Sequence, residues 1–168
     1  FNRNLGYWEC DLVQVRDAAL TDDVVKFMAG RLHKLPEGTQ KVLKLAACIG
    51  NQFDLEILAI ICETLSEEVA ANLWSALREG LVLPQSEAYK FFQGREKDER
   101  RAEGISVGYR FLHDRVQQAA YSLIQTEQKQ QTHLKVGRLL FHAMNATERE
   151  EKIFEIVNQL NQGSDLMA

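Results

Sequence analysis

The side chains with the clearest chemical capacity are His113 and Asp114, inside the run Val107–Ile124. An imidazole can donate a hydrogen bond to a phosphate or exchange a proton near neutrality. A carboxylate beside it can orient the ring or cap a helix. Val107, Tyr109 and Phe111 alternate with Gly108, Arg110 and Leu112, the period of a strand. Val116, Ala119, Ala120 and Leu123 then recur at helical spacing. The His-Asp pair therefore occupies a strand-to-helix joint, where free N–H groups and the helix dipole favour an anion. Asp114 is expected to be the N-cap, with His113 projecting from the strand end near the helix N-terminus. Taken alone, a His-Asp dipeptide is more often a packed histidine beside a cap, so the rest of the chain has to decide. Arg110 and Arg115 are secondary candidates for contacts to a partner, and solvated surface charge is the simpler reading of both.

No second chemical centre emerges. Cys10, Cys48 and Cys62 are odd in number and form no Cys-x-x-Cys. Cys48 and Cys62 lie in apolar helical runs and read as small buried hydrophobes, a reduced, cytoplasmic pattern rather than a disulfide framework. His33, His113, His133 and His142 show no metal-ligand spacing, so no metal is expected. There is no Gly-x-x-x-x-Gly-Lys-Ser/Thr, no hydrophobic strand ending in an acidic pair, and no kinase signature. No catalytic residue is assigned, and no cofactor is expected in this chain by itself. A net charge of -4 and a pI near 5.6 weigh against a large nucleic-acid footprint. No apolar run approaches the roughly 20 residues of a membrane span, and no N-terminal stretch has the form of a secretory signal. The chain begins with Phe1 rather than Met, which reads as a piece of something longer.

Several elements must position the joint. In Phe1–Val15, Gly6 and the strand-like run Tyr7–Leu12 read as the tail of a hairpin. Thr21 is expected to cap a helix carrying Val24, Phe27, Met28 and Leu32. Pro36 opens the next helix at its first position, with Val42, Leu45, Ala46 and Ile49 on one face and Gly50 at its end. Asp54 caps a short apolar helix, Leu55–Glu63. Ser66 caps another, with Val69, Leu73, Ala76 and Leu77 in a stripe and Gly80 as its stop. Leu81–Leu83 reads as a strand closed by Pro84. In residues 85–106, five acids balance five bases, the pattern of a solvated loop. It joins the Leu81 strand to the Val107 strand as a β-hairpin with a long charged tip. Thr126 and a Thr147-x-x-Glu150 capping box are expected to start two final helices. Their faces are Leu134, Val136, Leu139, Leu140 and Phe141, and Ile153, Ile156, Val157 and Leu160. This pair is either the start of a helical-repeat stack or packs simply on what precedes it.

The expected fold is mainly α with a small β-hairpin. Residues 36–124 form a winged-helix domain, a three-helix core with a hairpin wing. An antiparallel helix pair follows over 125–168, and 1–35 is a hairpin remnant plus a helix. Winged helices commonly bind DNA through the third helix. Here that helix carries Glu67, Glu68, Arg78 and Glu79, and only Asn72 and Arg78 could contact bases or phosphates. A DNA-binding transcription regulator is the alternative those charges disfavour. A helical protein-interaction module is the other.

The run Leu35-Pro36-x-x-Thr39-Gln40-x-Val42-Leu43-Lys44-Leu45-Ala46-Ala47-Cys48-Ile49-Gly50-x-x-Phe53-Asp54-Leu55 resembles the segment after the ATPase core in large bacterial multi-domain kinases. Glu79-Gly80-Leu81-Val82-Leu83-Pro84, Tyr109–Tyr121 and Lys152–Val157 are similar too, so the resemblance spans nearly the whole chain. Its most specific parts are Leu-Ala-Ala-Cys-Ile-Gly and Phe-Leu-His-Asp-Arg-Val. Such proteins carry a Ser/Thr kinase-like domain, a STAND-type, AAA-like ATPase module, a helical-repeat region, and often GAF and histidine-kinase domains. The resemblance implies a regulatory segment whose partners are the parent's own ATPase core and its downstream helical-repeat and kinase domains. Residues 1–35 would then be lid-like. It implies ATP or ADP with Mg in the parent, and His113 in the position of a histidine that contacts the β-phosphate of ADP. Asp114 would orient that imidazole, and neither nucleic acid nor membrane is an expected partner.

Overall fold

The computed structural model describes residues 20–92 and 107–166. The hairpin expected in 1–15 and most of the charged loop, 93–106, lie outside them, as does the side chain of the expected cap Thr21. The described chain is mostly helical, with one small three-stranded antiparallel sheet.

Helix α1 (Leu20–Leu32) is followed by Pro36 and α2 (Glu37–Ile49). Pro36 sits in the N-cap slot at φ -53°, one residue earlier than expected. Its ring presets the backbone and its missing N–H would have been unpaired there anyway. Gln40 turns back from α2 and donates to the carbonyls of Leu35 (2.8 Å) and His33 (3.1 Å), partnering acceptors left free where α1 ends. Leu32 is fully buried, whereas Phe27, expected on the same stripe, is 64% exposed. Gly50 closes α2, its N–H returning to Ala46.

Strand β1 (Gln52–Asp54) runs straight into α3 (Leu55–Cys62). As expected, Asp54 caps α3, accepting from the Glu56 N–H at 2.8 Å. In α4 (Ser66–Arg78) Leu65 holds the N-cap position without a side-chain bond, and the expected cap Ser66 is already helical. Thr64 reaches Glu68 instead, and Thr39 Oγ1 donates to the Asn72 carbonyl at 2.7 Å, tying α2 to α4. Gly80 turns the chain at φ 65°, the left-handed conformation that suits glycine. The Leu81 N–H then bonds Ala76.

Strand β2 (Val82–Pro84), a 3-10 turn (Glu87–Phe92) and β3 (Gly108–Phe111) follow. The sheet order is β1-β3-β2, so β3 is central and pairs on both edges. Val82 opposes Phe111, and Phe53 opposes Tyr109. The alternation of 107–111 is realised: Val107, Tyr109 and Phe111 are buried and Arg110 faces out. Phe53 stacks on Tyr109 at 6.0 Å and meets Phe111 at 5.5 Å between centroids, contacts worth about 0.5–1.5 kcal/mol each beyond burial.

Helix α5 (Asp114–Ser122) buries Val116, Ala119 and Ala120 against the main core. Next come α6 (Thr126–Ala143), the short α7 (Ala146–Glu151), α8 (Ile153–Gln162) and a closing 3-10 turn (Ser164–Leu166). Gln125, not Thr126, occupies the α6 N-cap position. The capping box is Asn145 with Glu148 rather than Thr147 with Glu150. Asn145 is extended and bonds the Glu148 N–H at 3.0 Å, while Glu148 returns to the Asn145 N–H at 2.8 Å. Helix α7 buries no residue, so apolar periodicity gives no sign of where it begins.

Val136, Leu140, Met144 and Ile156 form a second cluster with Ile61, flanked by Leu45, Ile49 and Ile57. The helix pair thus packs on α2 and α3. Gly137 allows the close approach of α6 and α8, since a Cβ there would lie 2.8 Å from Leu160 Cδ2. Ile153, Phe154 and Val157 point outward, Phe154 being 86% exposed.

Candidate functional site: the joint between β3 and α5

Two anchors hold the joint. On one side Tyr109 and Phe111 fix β3 in the core. On the other Val116, Ala119 and Ala120 fix α5. Leu112 and His113 cross between them, with the Leu112 N–H bonded to Leu81 at 3.0 Å. His113 is extended, at φ -154° and ψ 151°, and its side chain is exposed.

His113 is itself the N-cap. Its Nδ1 accepts from the Arg115 N–H at 3.2 Å, and its carbonyl accepts from the Val116 N–H at 2.8 Å. This corrects the expectation that Asp114 caps the helix. Nδ1 lies as many bonds from Cα as an aspartate Oδ1, so an imidazole on an extended residue reaches the same N–H that an Asx cap would. Asp114 becomes the first helical residue, exposed, where its charge favours the dipole. Among the described residues no hydrogen bond joins it to the ring, so it does not orient the imidazole.

The cap sets the tautomer. An Nδ1 that accepts carries no proton, so the neutral ring holds its hydrogen on Nε2. Among the described residues that N–H has no acceptor. The joint therefore offers one outward donor, at a helix start whose Arg115 and Val116 N–H groups are already taken by His113 itself.

Neither arginine side chain hydrogen-bonds to the ring among the described residues. Arg110 is exposed on the outer sheet face, opposite Gln52 on one side and Leu83 on the other. Arg115 is half-buried and its Nη1 donates to Gln118 at 2.9 Å.

A second polar centre has no counterpart in the sequence reading. His133 and Gln159 are both 3% exposed. Gln159 Nε2 donates to the Cys48 carbonyl at 2.7 Å, which leaves its Oε1, 2.6 Å from His133 Nδ1, as an acceptor. His133 therefore carries its proton on Nδ1, and Nε2 accepts from the Tyr121 hydroxyl at 2.9 Å. Lys129 lies 4.6 Å over the Tyr121 ring. These bonds connect α5, α6, α8 and α2. The available signal was a polar residue inside an apolar face, Gln159 between Ile156 and Leu160.

Among the described residues, Cys48 and Cys62 show no sign of nucleophilic chemistry. Burial pushes the Cys48 thiol up to about 12 and the Cys62 thiol up to about 11, so both stay protonated near neutral pH. Cys10 lies outside the described residues. No described helix is long and apolar enough to cross a membrane.

Taken together, these are the features of a helical domain with a small sheet and one exposed donor at a rigid joint. The chain is similar to a segment of Hybrid signal transduction histidine kinase G of Dictyostelium discoideum, 28% identical over 201 residues and covering 99% of this chain. It spans 6% of the length of that relative. No family model matches the chain, and no solved structure matches it.

Proposed function

We propose that this chain is a non-catalytic regulatory segment of a cytoplasmic signal-transduction kinase, and that it relays the nucleotide state of a STAND-type ATPase core to downstream signalling domains. The observation that carries the reading is the capped His113, whose Nε2–H faces outward from a joint braced on both sides. Such a donor, with the α5 N-terminus behind it, suits a diphosphate oxygen. Similarity to a segment of a histidine kinase supports the signalling context. The order helix, strand, helix, helix, strand, 3-10 turn, strand among the described residues supports a winged helix that docks on such a core. In this reading His113 contacts the β-phosphate of ADP, bound with Mg by the core. Contact and release make the two states of a latch. Asp114 shapes the field at the helix start, and Arg110 and Arg115 are secondary contacts.

The test uses the chain joined to its core. His113→Ala removes both the cap and the donor. His113→Asp keeps a cap but puts an acceptor-only carboxylate where the donor was. Both variants should release ADP faster, and unchanged ADP retention in His113→Asp would refute the latch.

The exposed Ile153, Phe154 and Val157 on α8 favour a second reading, a helical interaction module. Partner binding that survives His113→Asp but not Phe154→Glu would identify it.

A further inference from the structure

A cavity of about 400 Å³ opens where the helix pair meets the body of the fold, between α2, α3, the end of α5 and α6. Its floor is apolar, with Leu45, Ile61 and Val136. Its rim carries the ammonium groups of Lys41, Lys44 and Lys135. Lys135 is already paired, with Glu63, which also lines the cavity. Lys41 and Lys44 form no ion pair among the described residues, and at i,i+3 on α2 they share one face. They leave a local excess of positive charge on a chain whose net charge is -4. Gln128 and Thr132 of α6 complete the wall with polar groups. Helix ends do not decide the sign of the field here, because α6 starts at this rim while α3 finishes at it. The lysines decide it.

An apolar floor under a polar, mostly cationic rim, of this volume and at a junction between packed units, has the form of a site for a small molecule with one apolar and one charged end. We propose that the cavity binds a small amphiphilic anion, a single carboxylate or phosphate on an apolar body. Its acidic head lies between Lys41 and Lys44 and its body rests on Leu45, Ile61 and Val136. Burial of the body provides the affinity, and the two cations select the charged head over a neutral one. A ligand held there touches α2, α3 and α6 at once, so it braces the helix pair against the body. The site stands independently of the nucleotide reading at His113.

The experiment is calorimetric titration of the 168-residue chain with decanoate below its micelle concentration. 1-Decanol and inorganic phosphate are the comparisons, and vesicles containing phosphatidylglycerol form a separate arm. Decanoate should bind at least about tenfold more tightly than decanol or phosphate, one factor of ten being about 1.4 kcal/mol. The double variant Lys41→Glu with Lys44→Glu should lose that preference with its circular dichroism unchanged, while Lys26→Glu should keep it. Methyl resonances of Ile61 and Val136 should shift on titration. Equal affinity in the wild-type chain and the double variant, no binding of decanoate, or methyl shifts confined to other parts of the molecule would overturn the site. Vesicle binding without decanoate binding would also overturn it, because lysines that attract a headgroup at the surface need no apolar hollow behind them.

Discussion

His113 and His133 are the same side chain in opposite circumstances. His113 sits on the surface, accepts through Nδ1 and presents an unused Nε2–H. His133 is buried, donates through Nδ1 and accepts through Nε2, so both ring nitrogens are used. The first arrangement is open to a partner, and the second is closed within the fold. A buried polar group that is fully paired holds neighbouring elements in one arrangement. An exposed donor on a rigid joint adds little to folding and is free for recognition. Recognition therefore falls to the first and stability to the second.

The largest effect should come from alkali. Burial raises the Cys48 thiol from 9.0 to about 12, Cys62 from 9.0 to about 11, and the Tyr109 hydroxyl from 10.0 to about 12. Each acid keeps its proton longer folded than unfolded, so stability is full below about pH 9 and falls as pH rises towards 12. The loss should reach a few kcal/mol, read as a falling urea midpoint. A flat profile from pH 8 to 11.5 would show these groups to be solvated.

Gln159→Leu comes next. It leaves the Cys48 carbonyl and the His133 Nδ1–H unpaired inside the fold, at about 1–3 kcal/mol for each group. Urea unfolding should show a loss of about 3 kcal/mol, and a change below about 0.5 kcal/mol would mean that the His133 centre is wet.

Gly137→Val should cost about 1–3 kcal/mol, because the added side chain meets Leu160. Leu160→Ala should recover part of that loss when the two are combined.

His113→Ala should cost only about 1 kcal/mol, the value of an N-cap, and His113→Asp should restore it. If His113→Ala costs more than Gln159→Leu, the division between open and closed histidines fails.

The smallest effect is expected for Arg31→Ala. The Arg31–Glu79 pair, at 2.9 Å, is largely exposed. Its loss should change stability by less than about 1 kcal/mol and fade with salt.

Much of this was legible where one local rule acted alone. The alternation of 107–111 gave β3 and its inward face, Asp54 gave a cap, and Gly50 and Gly80 gave helix ends. The approach failed where two neighbours competed for one role. His113 took the cap from Asp114, and Asn145 took it from Thr147, because the cap belongs to whichever residue is extended when the helix begins. Strand β1 was missed because three residues carry too little periodicity, and it exists only through its pairing with β3. The Phe27 side chain was placed inward by spacing, yet the core surface it would need is not offered to it.

The sequence by itself determined most of the helical segments, the inward face of β3 by its alternation, and that a histidine stands where a strand becomes a helix. Tertiary structure decided which nitrogen of each imidazole holds the proton. It also decided that Gln159 faces inward and that two lysines border an apolar hollow. The reason is physical: helices and strands follow from contacts within a few residues, whereas a tautomer or a cavity depends on partners such as Cys48 and Gln159, which are 111 residues apart in the chain.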